Sequence, residues 1–230
     1  MANRSGFMGG MYAVSEWISR FTLGNLLWAL FNLPVGLLLL SLLNLQDSGL
    51  IFYIMAPLVL VTPFVFFPAT TALFAKAREW VRKDENDLVE KSYFYYYKEN
   101  YLKSLGGGII FVVLWTVLAA DVYYFSTRNT FLMNVFLIMA ILLFVWTINF
   151  FAVMVHYDMK LKGFLKQSFF ITIGSPLLFL TIVISSAIVL YISLYIFPLL
   201  IPIVTGSLIA FLSFSAFYRL HLKIINNKNK

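Results

Sequence analysis

The sequence predicts an all-α membrane protein: a polytopic bundle of about six transmembrane helices, with an N-terminal amphipathic interfacial helix and a cytoplasmic helical hairpin. Three observations support this fold class. Hydrophobic residues make up 61% of the 230 residues and charged residues only 12%, whereas a soluble domain typically carries about 25% charged residues. Six apolar runs each exceed the length of about 20 residues that a helix needs to cross a bilayer. The segments that connect these runs are alternately rich and poor in basic residues.

The first predicted element is an amphipathic helix within residues 1–20 that lies on the membrane surface. Apolar side chains form one broad face of this helix, whereas Glu16, Ser19 and Arg20 fall on the other. Glu16 and Arg20 have the i,i+4 spacing of a helical ion pair. A signal peptide is the alternative, but the apolar stretch after Arg20 is too long for one and lacks a small-residue cleavage site.

The six apolar runs are expected to be helices, because backbone groups in lipid must be hydrogen-bonded within their own segment. None of the runs shows the alternation of a barrel strand. The predicted spans lie near residues 21–43, 50–75, 105–125, 131–155, 170–191 and 195–217, and a basic tail follows at 218–230. We therefore treat residues 1–230 as a single membrane domain.

The distribution of Lys and Arg predicts the orientation of the bundle. The N-terminal segment, the loops at 76–104 and 156–169 and the C-terminal tail together carry sixteen basic residues, whereas the turns at 44–49, 126–130 and 192–194 carry one. Basic residues concentrate in cytoplasmic segments of membrane proteins. Both termini are therefore expected to be cytoplasmic, and the alternation supports six spans.

The loop at 76–104 is the one sizeable element that the sequence places outside the membrane. Its spacing of apolar residues predicts a helical hairpin at the membrane surface. Five tyrosines are clustered in it, at positions 93, 95, 96, 97 and 101. Tyr and Trp are enriched at membrane interfaces, so one interpretation is an anchor at headgroup level. The alternative is a docking surface for a cytoplasmic partner, with Trp80, Tyr97 and Tyr101 as its candidate residues.

Prolines and glycines mark irregular places in the predicted spans. Pro34 lies midway along the first span, and the second span contains Pro57, Pro63 and Pro68. Each proline removes a backbone hydrogen bond, so the second span is the best candidate for a broken or strongly bent helix. The three consecutive glycines at 106–108 predict close helix packing or a flexible joint.

Three polar residues inside the predicted spans are candidates for function. Asp121 is one turn from the outer end of the third span, and an ionisable residue within a membrane is a functional candidate. The alternative is a carboxylate that is paired or reaches the interface. Asn32 and Asn149 lie deeper, where side-chain amides often hydrogen-bond between helices. The sequence leaves both a substrate role and a structural role open for these residues.

No enzymatic or metal-binding motif is found in the sequence. The chain has no cysteine and only two histidines, His156 and His221, which are far apart in the sequence. We find no metalloprotease helix, nucleophile elbow or phosphate-binding loop. The prediction is therefore a protein with no catalytic residue, no cofactor and no metal. The positive-inside pattern accounts for the net charge of +7, so nucleic acid is not an expected partner.

Residues 163–178 resemble the coupling loop of binding-protein-dependent ABC permeases. Gly163 is followed at similar spacing by Phe170, Ile173 and Pro176. The acidic opening of that motif is missing, and Lys162 stands where an Asp is expected. This resemblance makes Gly163 and Pro176 further candidates for contact with a partner.

The chain also resembles the YesL-like family of bacterial multi-pass membrane proteins, a family of unknown function. The similarity extends from about residue 6 to about residue 215. It is carried by segments beginning at Gly10, Asn25, Phe67, Trp80, Tyr97 and Gly174, of which Phe67-Pro68-Ala69-Thr70 is the most specific. The resemblance implies a plasma-membrane protein of Gram-positive-type bacteria and a link to carbohydrate uptake by ABC transporters. It provides no catalytic residue to transfer.

Two classes of function follow from these observations. The first is a non-enzymatic accessory or assembly factor that contacts the permease or ATPase subunits of a carbohydrate ABC transporter. The second is a small-solute transporter or permease-like subunit, which predicts a polar cavity lined by Asp121, Asn32 or Asn149. The substrate, the partner and the oligomeric state do not follow from the sequence.

Overall fold

The computed structural model describes residues 7–45, 48–82 and 90–228, which form nine α-helices and no β-strand. The helices are α1 (Phe7–Phe31), α2 (Leu33–Leu43), α3 (Ile51–Val81), α4 (Tyr93–Glu99), α5 (Tyr101–Ser126), α6 (Thr130–His156), α7 (Leu161–Gly174), α8 (Pro176–Tyr191) and α9 (Gly206–Lys228). Within these residues, five helical segments are long and apolar enough to cross a membrane, and α1 with α2 adds a sixth if the pair is one bent span. The predicted all-α polytopic fold class is confirmed.

The N-terminal region differs from the prediction in where its first helix ends. We expected an interfacial helix to stop near Arg20, but α1 continues without interruption to Phe31. The predicted ion pair is confirmed, since Arg20 Nη2 lies 2.7 Å from Glu16 Oε1. The break comes at Asn32, and α2 is inclined by 71° to α1. Pro34 accounts for this position, because it has no N–H to continue the hydrogen bonds of α1.

The second span was the best candidate for a broken or strongly bent helix, and the structure shows that it is not broken. Helix α3 runs from Ile51 to Val81 through Pro57, Pro63 and Pro68 as one α-helix. It packs against α2, α5, α6 and α9, and Pro63 and Pro68 are buried in these contacts. Surrounding helices can hold a proline-containing helix together within a membrane protein. Tertiary packing therefore outweighs the local effect of the prolines.

The turn between the last two spans lies at 197–200 and not at the predicted 192–194. Helix α8 continues as a π-helical turn over Ile192–Ile196, and a second π-helical turn, Ile201–Thr205, leads into α9. Phe197 lies outside the helical region, with φ −144° and ψ 81°, and a following proline disfavours the helical conformation at this position. The residues around this turn are apolar, so hydropathy does not reveal it. The last helix also extends to Lys228, well beyond the predicted end at 217.

The core lies where α5 and α6 cross α3. A Cβ atom on Gly107 would be 2.1 Å from Phe150 Cζ, and one on Gly108 would be 2.8 Å from Phe67 Cγ. The ring of Phe111 packs 5.1 Å from that of Phe150, centroid to centroid. The glycine triplet therefore serves close helix packing, one of the two roles that the sequence predicted.

Helix α1 is attached to the start of α9 through a buried amide. Asn25 is fully buried, and its Nδ2 donates a hydrogen bond to the carbonyl of Ile201 at 2.9 Å. Its Oδ1 accepts one from the backbone N–H of Ser207, also at 2.9 Å. The Ser207 hydroxyl in turn donates to the carbonyl of Phe21. The first and last helices of the bundle are thus joined directly.

The basic segments of the chain meet at one end of the bundle. This basic end comprises residues 76–82, 90–104, 156–169 and 218–228. Lys103 Nζ lies 2.7 Å from Asp158 Oδ1, and the guanidinium of Arg82 lies 5.9 Å from the ring centroid of Tyr218. The grouping agrees with the predicted alternation of charge, and the side of the membrane on which the basic end lies stays a prediction.

Candidate functional site

The basic end presents a short helix, α4, whose two faces differ in burial. Its N-terminus is capped by Ser92, whose hydroxyl accepts a hydrogen bond from the N–H of Tyr95 at 3.2 Å. Asn100 separates it from α5. The predicted hairpin thus consists of the last turns of α3 and of α4, and residues 83–89 between them lie outside the described residues. Two of the seven residues of α4, Tyr93 and Tyr96, are buried.

Glu79 of α3 anchors α4 to the bundle. Only 4% of this residue is exposed. Its Oε1 accepts hydrogen bonds from the Tyr96 hydroxyl and, at 2.8 Å, from the backbone N–H of Lys91. Its Oε2 forms an ion pair with Lys76, whose Nζ also donates to the carbonyl of Lys91 at 3.0 Å. A buried carboxylate is tolerated when it is paired and hydrogen-bonded in this way.

Tyr93 provides a second attachment of α4 to α3. Its hydroxyl donates a hydrogen bond to the carbonyl of Ala69 at 2.7 Å. Burial raises the pKa of Tyr93 well above its ordinary value, and burial, with the nearby Glu79 carboxylate, does the same for the pKa of Tyr96. Both phenols are therefore neutral donors at physiological pH. Their hydrogen bonds fix the inner face of α4.

The outer face of α4 remains open. Phe94 is 51% exposed and Tyr95 is 44% exposed, and Lys98 is exposed beside them. Tyr97 is half-buried because its ring stacks on Phe31 of α1 at a centroid distance of 4.4 Å. The tyrosines predicted to act together at one interface are therefore divided. Tyr93 and Tyr96 hold the helix in place, Tyr97 packs on α1, and Tyr95 is exposed.

A polar cleft of about 360 Å³ lies next to α4, between the ends of α3, α5 and α6. Three basic side chains line it, those of Arg78, Lys91 and Lys103, together with the carboxylates of Glu99 and Asp158. Lys103 lowers the pKa of the Asp158 carboxyl by donating a hydrogen bond to it. Arg78 Nη1 donates to the carbonyl of Val155, and its buried Nε has no hydrogen-bond partner among the described residues. The cleft therefore offers charged groups of both signs.

The structure does not bring the three predicted intramembrane polar residues together. Asn32 Nδ2 donates to the carbonyl of Trp28 at 2.8 Å, at the bend after α1. Asn149 is fully buried, and its Nδ2 donates to Thr172 Oγ1 at 2.9 Å, which joins α6 to α7. Asp121 is half-buried on α5. These residues line neither the polar cleft nor the apolar cleft of about 450 Å³ between α2, α3, α5 and α6.

The predicted docking residues also lie in different places. Trp80 is only 5% exposed, and its ring packs edge-on against Phe21 at 5.3 Å. Trp80 therefore cannot reach a partner in this conformation, and the interpretation of it as a surface residue is wrong because α1 covers it. Tyr101 is half-buried with its ring 5.7 Å from that of Tyr97.

The two residues taken from the permease resemblance lie away from α4. Gly163 is half-buried in α7, and Pro176 is exposed as the first residue of α8. Gly163 lines one and Pro176 the other of two adjoining clefts between α7, α8 and α9, and no residue of α4 lines either cleft. Their contact with a partner stays a prediction.

The two histidines, distant in sequence, are neighbours in space. The ring centroids of His156 and His221 are 4.3 Å apart, and the Tyr157 hydroxyl lies 2.7 Å from His221 Nδ1. Over residues 7–45, 48–82 and 90–228, no three His, Asp or Glu side chains converge as a metal site would require. The histidines instead pack with Phe217 and Tyr218, between the end of α6 and α9.

Sequence reasoning missed Glu79, the residue on which the arrangement of α4 depends. We counted it as part of a polar loop, because Lys76, Arg78 and Arg82 surround it. A signal was present in the spacing: Glu79 follows Ala72 and Ala75 at i+7 and i+4, so the apolar face of α3 extends to it. All three residues are buried.

The fold and the site define a helical membrane protein that concentrates its charged groups at one end and carries a fixed surface helix there. The family profile described as "Protein of unknown function, DUF624" matches residues 21–122. This match and the relatives below support the resemblance to the YesL-like family of proteins of unknown function that the sequence predicted.

Three proteins of Bacillus subtilis (strain 168) are similar to the chain. The chain is 26% identical to the uncharacterized protein YteU over 227 residues, which cover 95% of this chain and 88% of that protein. It is 28% identical to the uncharacterized protein YesL over 168 residues, covering 73% of this chain and 68% of YesL. It is 26% identical to the uncharacterized protein YesV over 196 residues, covering 84% and 82% respectively. No solved structure matches the chain significantly.

Proposed function

We propose that this protein is a non-enzymatic accessory or assembly factor that binds a carbohydrate ABC transporter in the bacterial plasma membrane, with both termini in the cytoplasm. The observation that supports this function best is that α4 is attached to the bundle by one face and exposed on the other. Glu79 and Ala69 hold its inner face through Tyr96 and Tyr93. Its outer face carries exposed Phe94, Tyr95 and Lys98. A fixed helix with an exposed aromatic face is suited to binding a partner, because little ordering is needed on association.

The packing of the polar residues favours this function over transport by the protein alone. A transporter of this size needs a polar path or site near the middle of the membrane. Asn32 and Asn149 both donate hydrogen bonds within the bundle, while the buried Oδ1 atom of each has no partner among the described residues, and Asp121 lies on another helix. The cleft between α2, α3, α5 and α6 is lined mainly by Leu, Val, Phe and Trp side chains. The carbohydrate ABC transporter as partner is an expectation from the family resemblance.

Site-specific photo-crosslinking in living cells tests the proposal. A photoreactive amino acid is placed at Phe94 on α4 and, as a matched control, at Phe131 at the opposite end of the bundle, where 74% of the side chain is exposed. The expected result is a crosslink from position 94 to a permease or ATPase subunit of a sugar transporter, identified by mass spectrometry, and none from position 131. Crosslinks to lipid alone at position 94, or the same partners from both positions, would contradict the proposal.

A further inference from the structure

The net charge of the chain is confined to its last third. Residues 1–158 contain ten basic and ten acidic side chains, so that part of the chain is neutral. Residues 159–230 contain seven basic side chains and no acidic one, which accounts for the whole net charge of +7. The basic groups in α7 and α9 thus have no carboxylate in their own part of the chain to neutralise them.

Three of these basic side chains line one groove. Two adjoining clefts of about 510 and 430 Å³ lie between α7, α8 and α9 and share Gly174, Ser175 and Leu220. Lys166 of α7 lines the first cleft, and Arg219 and Lys223 of α9 line the second. All three side chains are exposed. No Asp or Glu of the described residues is among the lining of either cleft.

The walls of the groove are apolar. Phe170 and Ile171 line the first cleft, and Leu177 and Leu178 line the second. These residues belong to α7 and to the start of α8. Together with the π-helical turn that follows it, α8 forms the segment Pro176–Ile196, which is long and apolar enough to cross a membrane. The groove therefore begins at the basic end and continues along the start of a helix that could cross a membrane. The groove thus combines basic side chains with apolar walls.

We propose that this groove binds an anionic phospholipid. Lys166, Arg219 and Lys223 would contact the phosphate, and the apolar walls would contact an acyl chain. Basic pockets between transmembrane helices on the cytoplasmic side bind anionic headgroups in this way. A small soluble anion would not require the apolar walls, and an apolar helix of a partner protein would not require three basic groups in clefts that no described Asp or Glu lines. The proposal depends on the membrane location of the protein and not on its proposed partner.

Native mass spectrometry of the purified full-length protein tests this site. The protein is titrated with phosphatidylglycerol and, separately, with phosphatidylcholine of the same acyl chains. The wild type is expected to bind phosphatidylglycerol at least about tenfold more tightly. The triple variant K166Q/R219Q/K223Q is expected to lose that preference, because each basic residue near an anionic lipid contributes severalfold to binding.

A charge-matched control separates a specific site from general attraction. Lys98, Lys160 and Lys162 are exposed at the same basic end but line neither cleft. The variant K98Q/K160Q/K162Q removes the same charge and is expected to change the lipid preference by less than about twofold. Equal losses in both triple variants would overturn the proposal. Displacement of phosphatidylglycerol by soluble glycerol phosphate would also overturn it, because the ligand would then be the phosphate group alone.

A second variant tests the groove without altering its charge. Gly174 lines both clefts, and a Cβ atom added to it meets no atom within 4 Å. The substitution Gly174→Leu would place a side chain in the groove and is expected to weaken phosphatidylglycerol binding about tenfold, with the helical circular-dichroism signal unchanged. Unchanged lipid binding in a folded Gly174→Leu protein would show that no acyl chain occupies the groove, and the proposal would be wrong.

Discussion

Two carboxylates, Glu79 and Asp121, lie at the two ends of the bundle and differ in their burial and in their partners. Asp121 lies in an apolar span yet is only half-buried, and it forms no hydrogen bond or ion pair with another described residue. Glu79 lies in a segment rich in basic residues yet is almost completely buried with three partners. The neighbours in sequence therefore do not indicate burial. The contacts of the surrounding helices determine it.

Removing the buried carboxylate is expected to have the largest effect. Glu79→Ala leaves the Lys76 ammonium and the Tyr96 hydroxyl without their partner inside the protein, which should lower the free energy of unfolding by about 3 kcal/mol. Asp121→Ala, the matched control, should change it by less than about 0.5 kcal/mol. Unfolding by SDS in mixed micelles measures both values. Similar losses for the two variants would show that the comparison between the two carboxylates is wrong.

A smaller effect is expected from the Tyr96 hydroxyl alone. Tyr96→Phe keeps the ring and removes one donor to Glu79, which should cost about 1–2 kcal/mol. The control Tyr95→Phe, on the exposed face of α4, should cost less than about 0.5 kcal/mol. Hydrogen–deuterium exchange of the α4 amides should increase in the first variant only. If exchange increases equally in both, Tyr96 does not anchor the helix.

The smallest effect is expected at the exposed pair of Lys103 and Asp158. The pKa of Asp158 lies below its ordinary value of 3.8 because of the hydrogen bond and the charge of Lys103. A lowered pKa stabilises the folded state above the ordinary pKa, and this contribution disappears as pH falls through the lowered value. Lys103→Gln should return the Asp158 pKa toward 3.8, as measured by NMR titration of the carboxyl carbon, with little change in stability at neutral pH. A pKa that does not move would mean that the ion pair is absent in solution.

The overall fold could be predicted from the sequence because lipid imposes simple requirements on a chain. Apolar runs of sufficient length must be helical, and α3, α5, α6 and α8 lie close to the runs that hydropathy identified. The end of the first helix, at Phe31, and the turn at 197–200 were misplaced, because both lie inside continuous apolar sequence. Pro34 and Pro198 are present there, but the three prolines of α3 show that proline alone does not break a packed helix.

The candidate site could be predicted less well, for a related reason. The segment that became α4 was recognised, and so was its cluster of tyrosines. The division of those tyrosines between an inner and an outer face depends on Ala69 and Glu79 of α3, and such contacts are not contained in local spacing. The burial of Trp80 depends in the same way on Phe21 and Gly24 of α1.

The hydrogen bonds between α1 and the start of α9 have a consequence for folding during synthesis. The two backbone groups that bond to Asn25, at Ile201 and Ser207, are made 176 and 182 residues after it. Until residue 207 has left the ribosome, the amide of Asn25 must find water or another temporary partner. The hydrogen bonds between α1 and the start of α9 can therefore form only after residue 207 is made. A nascent chain that stops before this residue cannot form them.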